Sequence, residues 1–261
     1  MSAAPTAMPI SPKRMPFMGH LAELRSRLTV VVVMLAVTSV AGYFFATPIY
    51  KFLVAPLQPV LGDKPAVTLK LLEAMSVRFK LGVWGGIVVS SPVIIYEALA
   101  FFLPALKPKE RAWFLWTFAA AVVLFLGGVA FCYTFVLEPS AQWLAAQNGE
   151  IFSYLPTGAD LVTLAMYFMM GFGLAFEVPV LVFYLVYFGV IPYDKLRANW
   201  RVVWVVLATV AAMITPDWSP VTMGLLALAM IGLFEGTMLL LRVLLARKIR
   251  AQRAAFALDE D

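Results

Sequence analysis

Three carboxylates stand where an ionised side chain is expensive: Glu97 in SPVIIYEALAFFLPAL, Glu177 in GFGLAFEVPV and Glu235 in IGLFEGTMLL, each the sole ionisable residue of a long apolar run. A charge at the centre of a bilayer costs roughly 2.5–3.5 kcal/mol on insertion scales, so each needs a partner, water or a proton. Glu177 lies two residues before Pro179, whose missing N–H and ring clash kink a helix and leave a carbonyl to satisfy. Glu97 lies between Pro92 and Pro104, with hydrogen bonding to a neighbouring helix as its simplest explanation. Glu235 stands six residues before its apolar run ends, near enough to snorkel toward the headgroups.

Two further acids sit at membrane entry points, Glu23 in GHLAELRSRL and Glu110 in ALKPKERAW. The first stretch reads as a helix in which Phe17, Leu21, Leu24 and Leu28 form an apolar stripe while His20, Glu23 and Arg27 share another face. An i,i+4 pair from Glu23 to Arg27 would contribute about 0.3–0.5 kcal/mol. In the second, Pro108 suits a first helical turn and Glu110 would meet the positive end of that helix. Each acid is accounted for singly. Together they are harder to dismiss, because the ordered part of a strongly basic face has only Glu23, Glu110 and Asp194 as acids. Isolated carboxylates there would attract a cationic ligand that the rest of the face repels, and a guanidinium can engage a carboxylate through two bonds.

The elements that carry these residues are membrane spans. The chain of 261 residues is 62% hydrophobic and 13% charged, with mean hydropathy +0.89, well beyond a soluble domain. Apolar stretches between charges mark six helices, over 28–46, 81–106, 112–137, 161–191, 202–214 and 221–241. The fifth is 13 residues, about 20 Å of helix against a hydrocarbon core of about 30 Å. The sixth has 14 uncharged residues before Glu235, so both are expected to be short. Fifteen of the 20 basic residues fall at the two termini and in the 2–3 and 4–5 connections, while the 3–4 and 5–6 connections hold none. Both termini are therefore expected in the cytoplasm. Residues 1–16, with four prolines and no apolar core, read as a flexible tail, 17–241 as one transmembrane domain and 242–261 as a second tail. The net charge of +5 is a topology signal and not a nucleic-acid footprint.

Several chemistries drop out. His20 is the only histidine and Cys132 the only cysteine, which leaves no zinc site, bis-histidine haem, iron–sulfur centre or histidine-based triad. Neither phosphate-binding glycine loop occurs, so no nucleotide motor is built into the chain. No cofactor or metal is expected, and no nucleophile–base pair suggests an enzyme. The Gly82 and Gly86 pair fits close helix packing. By pattern alone, two classes stay open: a receptor for a cationic partner at Glu23 and Glu110, or a proton-coupled transporter of a small solute using Glu97 and Glu177 beside prolines.

Taken in order, HLAELRSRL before the first span, FFLPALKPKER between the second and third, FEVPV in the fourth and ITPD after the fifth resemble the TatC family, the six-span core of the twin-arginine protein translocase. The resemblance covers about residues 17–241. It implies an all-α membrane fold with a glove-like concave shape, and a receptor for the twin-arginine signal peptides of folded precursors. It also implies single-span partners of the TatA and TatB type, self-association within a receptor complex in the inner membrane, and drive from the proton-motive force. On its motifs, Glu23 and Glu110 match the signal-peptide carboxylates, with Arg25 and Pro104 at neighbouring positions. Glu177 matches the acid of the membrane cavity, and Thr215 and Glu235 fall at polar positions associated with partner helices. The chain departs from the pattern at Glu97, where the family often has Gln, and in ANWRVV at the entry to the fifth span.

Overall fold

The computed structural model describes residues 17–61, 66–101, 112–147, 157–215, 219–244 and 246. Helix α1 (Phe17–Phe44) passes unbroken through a run of four valines. Such β-branched residues are modest helix formers in water, but in lipid every backbone group must be bonded within the segment, and the helix is the remaining choice. Helix α2 (Ala46–Val54), a 3₁₀ turn (Ala55–Leu57) and α3 (Gln58–Leu61) then fill the proline-rich 1–2 connection.

Helix α4 (Glu73–Phe101) returns along α1, and small residues set how closely the two approach. A Cβ added at Gly82 would stand 2.8 Å from the Ser39 carbonyl, and one at Gly86 would stand 2.8 Å from the Ser39 amide nitrogen. The packing role read from the glycine pair is thus the observed one. Hydroxyls close the seam: Thr38 Oγ1 lies 2.7 Å from Ser90 Oγ and donates to the Gly86 carbonyl at 3.2 Å. Pro92, inside α4, cannot bond the carbonyl four residues earlier, and Ser91 Oγ donates to that Val88 oxygen at 2.7 Å.

The third span reaches further than the hydropathy run. Helix α5 (Ala112–Phe131) passes through a π turn (Cys132–Val136) into α6 (Leu137–Ala146), so the helical path does not stop at the expected residue 137. The widened turn ends three residues before Pro139, which has no N–H to give the ladder. The fourth span is two helices. Helix α7 (Gly158–Ala175) starts at Thr157, whose Oγ1 accepts from the Asp160 amide at 3.1 Å, and α8 (Val178–Tyr187) resumes beyond a break at Phe176 and Glu177. The break is the one anticipated from Pro179. Gly189, with φ of 75°, then turns the chain out of α8 into the short α9 (Tyr193–Ala198).

Helix α10 (Trp200–Ile214) has 15 residues, about 22 Å, and is the expected short span. Helix α11 (Pro220–Leu244) opens with Ser219 Oγ accepting from the Val221 amide at 3.2 Å and with Pro220 at its first position. It continues for 25 residues, so what is short in it is the uncharged stretch before Glu235, not the helix. The described residues therefore form six helical spans, five long and apolar enough to cross a bilayer and α10 shorter. The core gathers Leu81, Phe125, Phe168, Phe172, Met230 and Phe234 from α4, α5, α7 and α11, while α1 stays at the margin with Val32, Val33, Val37 and Val40 exposed. No sheet forms among the described residues; the one strand-like contact is a bridge between Val67 and Thr157.

Candidate functional site

The opening helix turns Glu23 and Arg27 inward, Arg27 reaching α4. Arg27 Nη2 and Nε donate to Glu23 Oε1 at 2.7 and 3.1 Å, which is the expected i,i+4 pair. Arg27 does more than that. Its Nη1 reaches across to Glu97 Oε2 at 2.8 Å, and the three side chains retain only 15 to 24% of their exposure. Glu97 thus has the neighbouring-helix partner it needed. The sequence signal that could have found the pair was charge alone: Arg27 is the last cation before the first span and Glu97 the only acid of the second. Glu23 Oε2 is buried and accepts no hydrogen bond from the described residues. Beside the cluster, Leu24, Leu28, Val31 and Ile94 wall a recess between α1 and α4 that Arg27 and Glu97 also line. Arg25 is exposed on the other side of α1. Glu110 and Pro104 lie outside the described residues.

The remaining polar positions belong elsewhere in the bundle. Glu177, in the break between α7 and α8, is half-buried, and its Oε1 is buried without a hydrogen-bond partner among the described residues. Glu235 is held by residues whose role the sequence did not reveal: Arg197 of α9 donates to its Oε2 at 2.7 Å, and Trp204 Nε1 of α10 donates to Oε1 at 3.2 Å. It is neutralised by Arg197 of α9 rather than by snorkelling alone. Thr215, at the end of α10, is buried with its hydroxyl turned back to the Ala212 carbonyl at 3.4 Å. Among the described residues, no group of three or more His, Cys, Asp or Glu side chains could hold a metal ion. What the arrangement offers is recognition of a cation at a buried carboxylate.

The profile of the family described as Sec-independent protein translocase protein (TatC) matches residues 19–228. The chain belongs to the TatC family. Similar proteins bear this out across its length. The TatC protein of Deinococcus radiodurans is 32% identical over 232 residues, covering 87% of this chain and 86% of that one. The chloroplastic TatC of Arabidopsis thaliana is 32% identical over 86% of this chain and 65% of its own length. A crystal structure described as the twin arginine translocase receptor TatC superposes with a TM-score of 0.72 at 27% identity, over 85% of this chain and 98% of that chain. The fold is thus the one the motifs implied, and family membership makes the chain a multi-pass membrane component of a protein translocase rather than an enzyme.

Proposed function

We propose that this TatC-family chain binds the twin-arginine signal peptides of folded precursors, with Glu23 and Glu110 as the carboxylates that receive the arginines. The observation that carries this reading is Glu23 itself, ion-paired through one oxygen while the other is buried without a partner. Arg25 and Pro104 flank the two acids. The basic residues around them support a cytoplasmic position for both termini, on the side from which precursors arrive, with residues 17–241 acting as one domain between two tails. Glu177, Thr215 and Glu235 serve single-span partners of the TatA and TatB type within the inner membrane, and copies of the chain associate in the receptor complex. The proton-motive force drives transport, its electrical part supplying about 2.3 kcal/mol per unit charge per 100 mV.

Crosslinking and affinity measurements with an Arg-Arg signal peptide test this. Glu110→Ala and Glu23→Ala are each expected to abolish binding while the protein stays inserted, and Glu110→Asp to retain part of it. A Lys-Lys peptide should bind more weakly, since an ammonium lacks the planar fork. Wild-type affinity in both alanine variants would sink the proposal.

A further inference from the structure

We propose that Glu97 is a positioning residue, which holds Arg27 so that Glu23 keeps one oxygen unpaired for an incoming guanidinium. The inference rests on the reading of Glu23 as a signal-peptide carboxylate. Its geometric basis is an uneven pairing. An arginine fork facing a carboxylate usually gives one N–H to each oxygen. Here both Arg27 donors that face Glu23, Nη2 and Nε, end on the same oxygen, Oε1, and the third arm, Nη1, is fixed on Glu97 from α4. Glu23 Oε2 is the atom left over.

The charges lead to the same place. Two carboxylates and one guanidinium leave the cluster one negative charge in excess, on a face otherwise dominated by Lys and Arg. A single added guanidinium would neutralise it and satisfy the orphaned oxygen together. Without the charge on Glu97, Glu23 and Arg27 would form a neutral pair, and Arg27 could turn its full fork onto both oxygens. The ligand would then have to displace an arginine already tethered to the protein. Arg27 also has room to give way, because it and Glu97 line the recess between α1 and α4. It can withdraw into that space while keeping its bond to Glu97. The departure at position 97 thus has a use: the acid keeps Arg27 from acting as a built-in competitor for Glu23.

The test uses the full chain in lipid nanodiscs and an Arg-Arg signal peptide, with binding measured for three variants. Glu97→Gln should weaken binding at least about tenfold, the scale of a charge-assisted hydrogen bond. Arg27→Gln should bind at least as tightly as the wild type, since Glu23 loses its competitor. The double variant should return to within about threefold of the wild type. If Glu97 merely fastens α4 to α1, both single variants weaken binding and the double variant does not recover it, which overturns the proposal. Should Glu97→Gln fail to assemble, the comparison moves to Glu97→Asp, which keeps the charge with a shorter reach. Intermediate affinity is expected there, and unchanged or fully lost affinity counts against the idea. Glu23→Gln separates the two levels of argument. Wild-type binding in that variant defeats the reading of Glu23 itself; lost binding there, with wild-type affinity in Glu97→Gln, defeats only the role of Glu97.

Discussion

Glu97 and Glu177 are each the only acid of their apolar run and each stands near prolines, yet the fold treats them oppositely. Glu97 rests on an unbroken helix beyond Pro92, where Ser91 has already capped the freed carbonyl, and a cation from α1 meets it at 2.8 Å. Glu177 stands in the break that Pro179 makes, and its buried Oε1 has no partner. The difference lies in what the neighbouring helix brings. Close approach of α1 delivers a guanidinium to Glu97, while no described residue delivers one to Glu177. Residue type and depth are therefore poor guides to what an intramembrane acid does; the approach of the facing helix decides whether it is a settled pair or an unmet demand.

The largest blow to this contrast should come from Gly86→Val. A Cβ there meets Ser39 backbone atoms at 2.8 to 2.9 Å, so the seam must open, at a cost of about 2–3 kcal/mol. Opening it would also draw Arg27 away from Glu97, and thermal unfolding in detergent should fall together with peptide binding. A retained melting point would mean that α1 is not held by this seam. Next in size is a pair of leucine substitutions with opposite signs. Glu97→Leu strands Arg27 and should lower stability by about 1–3 kcal/mol. Glu177→Leu removes a carboxylate that already lacks one bond and should leave stability unchanged or raise it by about 1 kcal/mol. Loss of stability in both would erase the distinction. Function should divide the other way, with Glu177→Gln sparing peptide binding while slowing transport in vesicles at equal protein level. Smallest of all is Glu235→Gln. Arg197 is 54% exposed, so losing that pair should cost no more than about 1 kcal/mol, read as a small shift in melting temperature.

Much of this arrangement was legible before any coordinates. Charge-free runs give the spans, Pro179 gives the break, and the Glu23 and Arg27 spacing gives an ion pair. What the sequence could not say is which way the first helix faces. Leu21, Leu24 and Leu28 form the apolar stripe, and they are 43 to 57% exposed. In water such a stripe would turn to the core, but in lipid the tails are as apolar as leucine, so the polar face is the one that turns inward. The bond between Arg27 and Glu97 follows from that inversion, and joining residues 70 positions apart it left no local pattern to read. The grip of Arg197 and Trp204 on Glu235 was hidden for the same reason. Helix α6 was missed because Glu138 and Pro139 look like a chain leaving the membrane; the π turn before them lets the helix absorb the proline and continue.

The seam between α1 and α4 joins the first two spans of the chain, and α1 has little other company in the bundle. Its main partners among the described residues are complete once residue 101 has been made, with α5 to α11, ending at Leu244, still to come. At about 5–20 residues per second, that interval is roughly 7–30 s, against the microseconds to milliseconds in which small helical bundles fold. The order of synthesis thus lets this hairpin close in the bilayer first, as a nascent unit whose glycines and hydroxyls are already satisfied and whose arginine has already met its acid. Later helices arrive at a finished wall, and the long wait during translation protects an edge on which the later described helices hardly pack.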